Sequence, residues 1–139
     1  MGFSEYDAHD GVGLAALVSR GEASAEELLD EAVERMAALN QAHGAVVIPK
    51  VEEARTTLAE GVPDGPLAGV PFLLKDLAVY YAGVATTHGC RLFADYVPDH
   101  DSELVRRYKR AGLVIFGKSA SPEFGLTTTT ESALFGQTR

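Results

Sequence analysis

No stretch of this 139-residue chain approaches the roughly 20 consecutive apolar residues of a membrane-spanning helix, so the sequence offers no membrane span. Cysteine is almost absent. Cys90 stands alone, which excludes an internal disulfide, and the scattered His9, His43, His88 and His100 give no zinc-ligand spacing. Neither a metal nor a cofactor is expected. The first residues carry no signal-peptide pattern, and with the lone cysteine this fits a reducing, cytoplasmic setting. No internal repeat is present. Positive charge is scarce in the first part of the chain, where residues 1–64 hold 13 acids against 4 bases, while residues 65–139 hold 7 against 8. A net charge of −8 disfavours nucleic acid as a partner, and the acidic excess reads as a solvated helical face.

What is present is the composition of a globular domain, with 46% hydrophobic and 23% charged residues. Asp10 reads as the cap of a short helix closed by Gly21. Ser24 and Glu27 form a capping box, and Leu28, Leu29, Ala32, Val33, Met36 and Leu39 then lay one apolar stripe along a long helix. Ala45 to Ile48 is strand-like, and Pro49 suits the first position of a helix over Lys50 to Glu60. Gly61 to Pro66, with two glycines and two prolines, is a loop that coincides with the charge boundary. It separates a helical layer over 1–64 from an α/β portion over 65–139. In the second part Ala78 to Leu92 reads as an exposed or site-lining loop, and Asp101 as the cap of a helix over Ser102 to Ala111, ended by Gly112. Leu113 to Phe116 is a buried strand, a parallel neighbour of the strand that ends at Lys75. A further short helix starts at Ser121-Pro122-Glu123.

Lys75 is the residue of chemical interest, because Val70, Phe72, Leu73 and Leu74 form an apolar strand that delivers it directly. A lysine at the end of such a run begins inside the protein. Desolvation then disfavours its ammonium form and fits it to accept a proton. The alternative is a lysine that snorkels to the surface or pairs with Asp76.

Two other patterns lead elsewhere. Gly112 to Ser119 matches the G-x-x-x-x-G-K-[ST] pattern of a phosphate-binding loop. Its middle is a β-forming apolar run, a helix precedes it and Pro122 follows, so the loop geometry that cradles phosphate is not expected. His88 and Cys90 are two residues apart on one loop, a poor arrangement for a cysteine nucleophile and its base, and Cys90 reads as a small hydrophobe.

Four motifs in register carry a family likeness: G-V-P-F-L-L-K-D at Gly69 to Asp76, T-T-H-G-C at Thr86 to Cys90, A-G-L-V-I-F-G-K-S-A-S-P-E-F-G at Ala111 to Gly125, and E-S-A-L-F-G-Q-T-R at Glu131 to Arg139. Together they resemble the N-terminal portion of the amidase signature family. Departures are Cys90 where serine is usual, Ala120 where asparagine is usual and Gln137 where proline is common. The resemblance implies the first strands of a mixed α/β sheet, an amide substrate, and a Ser/cis-Ser/Lys triad in which Lys75 is the catalytic lysine. It places both serines in a glycine- and serine-rich stretch beyond Arg139, so the chain alone is expected to be inactive and to pair with that stretch or with itself. A noncatalytic interaction module and a Schiff-base lysine at Lys75 are the competing readings.

Overall fold

The computed structural model describes residues 5–139. Four helices run over Gly11–Ser19 (α1), Ala25–His43 (α2), Val51–Glu60 (α3) and Glu103–Arg110 (α4). Five strands run over Val46–Pro49 (β1), Pro71–Lys75 (β2), Val114–Ser119 (β3), Glu131–Ser132 (β4) and Gly136–Gln137 (β5). β3 is central in a sheet of order β1-β3-β2. β1 runs antiparallel to it, with Val46 opposite Ser119 and Pro49 opposite Gly117. On the other side the ladder advances in the same direction along both strands, from Val114 N–H donating to Val70 O to Asp76 N–H donating to Ser119 O. That is the parallel arrangement expected from a helix between two strands. The fold is therefore α/β with a mixed sheet.

The helix starts follow from side chains that satisfy otherwise unpaired amides. Asp10 Oδ1 accepts from Gly13 N–H at 2.8 Å. Ser24 Oγ accepts from Glu27 N–H at 3.1 Å while Glu27 returns a carboxylate oxygen to Ser24 N–H at 2.8 Å. That bond from the Ser24 amide, and second to it a hydrogen bond from the Ser24 side chain to the carboxyl, hold Glu27 below its ordinary range. Two helix starts differ from expectation. Pro49 closes β1 rather than opening α3, because its stretch pairs with β3. At α4 it is Ser102 Oγ that accepts, from Val105 N–H, whereas Asp101 Oδ1 accepts from Ala82 N–H.

Two compact units are distinguishable, each drawn from three stretches of chain. The first comprises residues up to Ala38, Lys50–Phe72 and Arg107–Phe116. Leu14 and Leu17 of α1, Ala23, Leu28 of α2, Val70 and Leu113 form its core, and Phe72 meets Tyr108 with ring centroids 4.8 Å apart. Gly112 permits a close backbone approach in this packing. At φ +85° a side chain is strained, and a Cβ there would lie 2.5 Å from Ala68 Cα.

The second unit comprises Leu39–Pro49, Leu73–Arg106 and Gly117–Arg139. Here the segment after Lys75 is buried rather than exposed at its T-T-H-G motif, with Thr86, Thr87 and His88 all enclosed. Gly117, Lys118 and Ser119 belong to β3, so the G-K-S triplet is strand and not a loop opening a helix. β4 and β5 make a two-stranded hairpin, turned by Ser132 Oγ accepting from the amides of Leu134 and Phe135.

Candidate active site

β2 ends on a sharp alternation: Leu74 is buried, Lys75 is exposed and Asp76 is completely buried. Successive side chains of a strand point to opposite faces, so the lysine and the carboxylate that follows it diverge. The expectation that Lys75 begins inside is thus overturned for its side chain, and the pairing with Asp76 is taken by another lysine. Among the described residues no serine hydroxyl hydrogen-bonds the Lys75 amine. The serine beside it, Ser119, donates instead to the carbonyl of Leu74 at 3.4 Å.

Asp76 anchors a closed polar network. One oxygen accepts from Thr87 N–H at 2.9 Å, and the other accepts the Thr87 hydroxyl. Lys118 lies 3.7 Å from the first oxygen and donates to Ala85 O at 2.8 Å and Thr86 Oγ1 at 2.5 Å. No exposed surface remains on Lys118. Burial pushes its amine below the ordinary lysine value of 10.5, opposed by the Asp76 carboxylate. In the sequence Lys118 falls within the phosphate-loop pattern and the third family motif, neither of which assigns it a role. A sharper signal was available, since a charge at the end of a strand buried on both faces requires a buried counter-charge.

The second feature is backbone strain. Among the described residues Ala78, His88 and Phe124 are the non-glycines at positive φ, at 53°, 54° and 53°. Each such residue costs about 1–3 kcal/mol and persists only where its surroundings impose it. All three meet at the His88 ring and backbone. His88 Nδ1 accepts from Ala78 N–H at 3.3 Å, and His88 O accepts from Phe124 N–H at 2.9 Å. The Phe124 ring stacks on the imidazole at 5.6 Å and 12°, and Phe93 packs edge-on at 5.4 Å. Gly89 next door sits where a Cβ would be 2.4 Å from Ser121 O. Cys90, the remaining residue of the motif, is half-buried with a free thiol. No group of three or more His, Cys, Asp or Glu side chains is placed to hold a metal ion among the described residues. There too, no helix is long and apolar enough to cross a membrane.

Comparison with known proteins places these motifs. The family model described as Amidase matches residues 27–139. The 6-aminohexanoate-cyclic-dimer hydrolase of Paenarthrobacter ureafaciens is 40% identical over 132 residues, covering 94% of this chain and 26% of that protein. A glutamyl-tRNA(Gln) amidotransferase subunit of Salinispora tropica is 38% identical over 132 residues, covering 90% and 27%. Among solved structures, 6-aminohexanoate cyclic dimer hydrolase complexed with substrate superposes with a TM-score of 0.88 at 40% identity, covering 94% of this chain and 27% of that one. A bacterial aryl acylamidase of the amidase signature enzymes superposes at 0.85 with 28% identity, covering 94% and 29%. The chain spans about a quarter of the length of the relatives it matches.

Proposed function

The chain belongs to the amidase family, and from that premise we propose that it carries the lysine of a Ser/cis-Ser/Lys triad that hydrolyses carboxylic amide bonds, with Lys75 as the base. The observation that carries this reading is the divergence at the end of β2. Lys75 projects from a fixed strand end into the open, while the nearest carboxylate in sequence is turned inward and engaged by Thr87 and Lys118. A lysine without a neighbouring counter-ion is easier to keep neutral once a covering layer excludes water, and only a neutral amine has a lone pair with which to accept a proton.

In this mechanism both serines come from sequence outside the 139 residues. Lys75 accepts a proton from the bridging cis-serine, which in turn accepts the proton of the nucleophilic serine. That serine attacks the amide carbonyl, backbone amides stabilise the oxyanion, the amine departs with a proton, and water releases the acid. The substrate class is a linear or cyclic carboxylic amide, in keeping with a relative named for hydrolysis of a cyclic amide dimer. The 139-residue chain alone supplies one member of three and is inactive by itself. The free thiol of Cys90 suits a reducing, cytoplasmic location.

A chimera tests the proposal. The matching quarter of the Paenarthrobacter hydrolase is replaced by this chain, and hydrolysis of the cyclic dimer is followed. Activity that Lys75→Ala abolishes supports the reading. An active chimera that survives Lys75→Ala overturns it, as does turnover of an anilide by the 139-residue chain alone that Lys75→Ala removes.

A further inference from the structure

The geometry points to Thr87 and His88 as a clamp that sets the direction in which Lys75 leaves the sheet, both acting as positioning residues. This rests on the reading of Lys75 as the base of the triad, but the argument for the clamp is geometric. A strand end is the last ordered residue of a ladder, and a long side chain there sweeps a wide arc unless the backbone on both sides is held. Before Lys75 the ladder of β2 does this. After it, two independent attachments do.

The first attachment acts on Asp76. Its amide continues the ladder to Ser119 O at 3.0 Å, and its carboxylate takes both the amide and the hydroxyl of Thr87. Thr87 Oγ1 also accepts from Gly89 N–H at 3.1 Å, so the hydroxyl is fixed in direction. The second attachment acts two residues later. His88 Nδ1 takes the Ala78 amide, which requires that this nitrogen carry no hydrogen and that the ring proton sit on Nε2. The adjacent residues Thr87 and His88 therefore hold both Asp76 and Ala78. Leu77 between them packs on Gly125, whose prospective Cβ would lie 2.8 Å from Leu77 Cδ2.

The strain at Ala78, His88 and Phe124 is what such a clamp requires. Left-handed backbone at an alanine brings no gain of its own, and here it occurs at the residue whose amide is held by the imidazole. Stacking of Phe124 on one face of the ring and the edge of Phe93 hold the imidazole in place.

Nuclear magnetic resonance on the isotopically labelled 139-residue chain tests the clamp without needing turnover. His88→Leu removes the acceptor, and His88→Asn keeps one while tolerating left-handed backbone. Thr87→Val removes the hydroxyl at nearly constant shape, and Thr87→Ser retains it. The expected result is that His88→Leu moves the Ala78 Cα and Cβ resonances out of their left-handed positions. Both His88→Leu and Thr87→Val lower the heteronuclear Overhauser effect of the Lys75 amide from the level of β2 to that of a mobile loop. His88→Asn and Thr87→Ser restore it, and α2 resonances stay put. Unchanged Lys75 mobility in both His88→Leu and Thr87→Val overturns the clamp, and so does equal loosening of α2 and β2. An inactive chimera with an intact Lys75 signature tells against the amidase reading alone.

Discussion

Burial works against the charge on Lys118, and the network around it offsets that cost through Asp76, Thr86 and the Ala85 carbonyl. Removing one member of a buried pair leaves the other uncompensated, a loss of about 3–5 kcal/mol. Lys118→Met is therefore expected to lower unfolding stability by about that much, read from urea denaturation at neutral pH. The double variant Asp76→Asn/Lys118→Met should lose less than the two single losses added together, because the partners are in contact. The pH dependence has a definite sign. The folded amine titrates below 10.5 and the unfolded amine at about that value, so between the two the unfolded chain holds the extra proton. Stability from this site then rises as pH climbs through the folded value toward 10.5, and the penalty is fully present below it. A urea midpoint of the wild type that falls relative to Lys118→Met over that window contradicts the assignment. At this scale Lys75 was legible because an apolar run ends on it. Its exposure was not, since the parity of β2 decides which of Lys75 and Asp76 faces inward, and nothing local in P-F-L-L-K-D sets that parity.

Caps and glycines carry most of the element-level specification. The reciprocal bonds of Ser24 and Glu27 start α2, and Ser24→Ala is expected to cost about 1 kcal/mol, seen as a lowered thermal midpoint. A variant as stable as the wild type would show that burial of Leu28 and Leu29 alone defines the start of α2. Two glycines separate conformational strain from steric strain. Gly21 sits at φ +68° with open space around it, so Gly21→Ala should cost about 1–2 kcal/mol, the penalty of a left-handed alanine. Gly112 carries the same handicap plus a Cβ pressed against Ala68 and Pro63, and Gly112→Ala should cost clearly more. Equal losses would mean that the 63–68 segment gives way without resistance. These elements were readable in advance because their signals are local: Asp10, the capping box, Gly61 and Gly112 each satisfy or release backbone at one point. Asp101 misled for the opposite reason. Its carboxylate is drawn to the Ala82 amide, 19 residues earlier, and the cap passes to Ser102.

At the scale of the whole chain, the family and the α/β class were legible because several motifs recur in register, whereas the polar network was not, because it joins Asp76 to residues up to 42 positions away. The same sheet order that places Lys75 also leaves β2 at an edge among the described strands. An edge strand presents unpaired amides and carbonyls, and Lys75 is the charged residue at its end. In the second unit Leu92 is 83% exposed and Leu126 81%, which leaves apolar area open to contact. Relatives about four times as long have chain available to cover such a strand and such side chains. The 139-residue chain in isolation is therefore expected to self-associate as its concentration rises, through the β2 edge and these apolar groups together. Sedimentation measures it directly. Leu92→Ser/Leu126→Ser should weaken association by removing apolar area, while Leu73→Pro should weaken it by interrupting the edge. If the chain sediments as a monomer at every concentration, neither the edge nor the exposed leucines act as an adhesive surface. If the leucine variant alone abolishes association, apolar contact and not strand pairing is what brings the copies together.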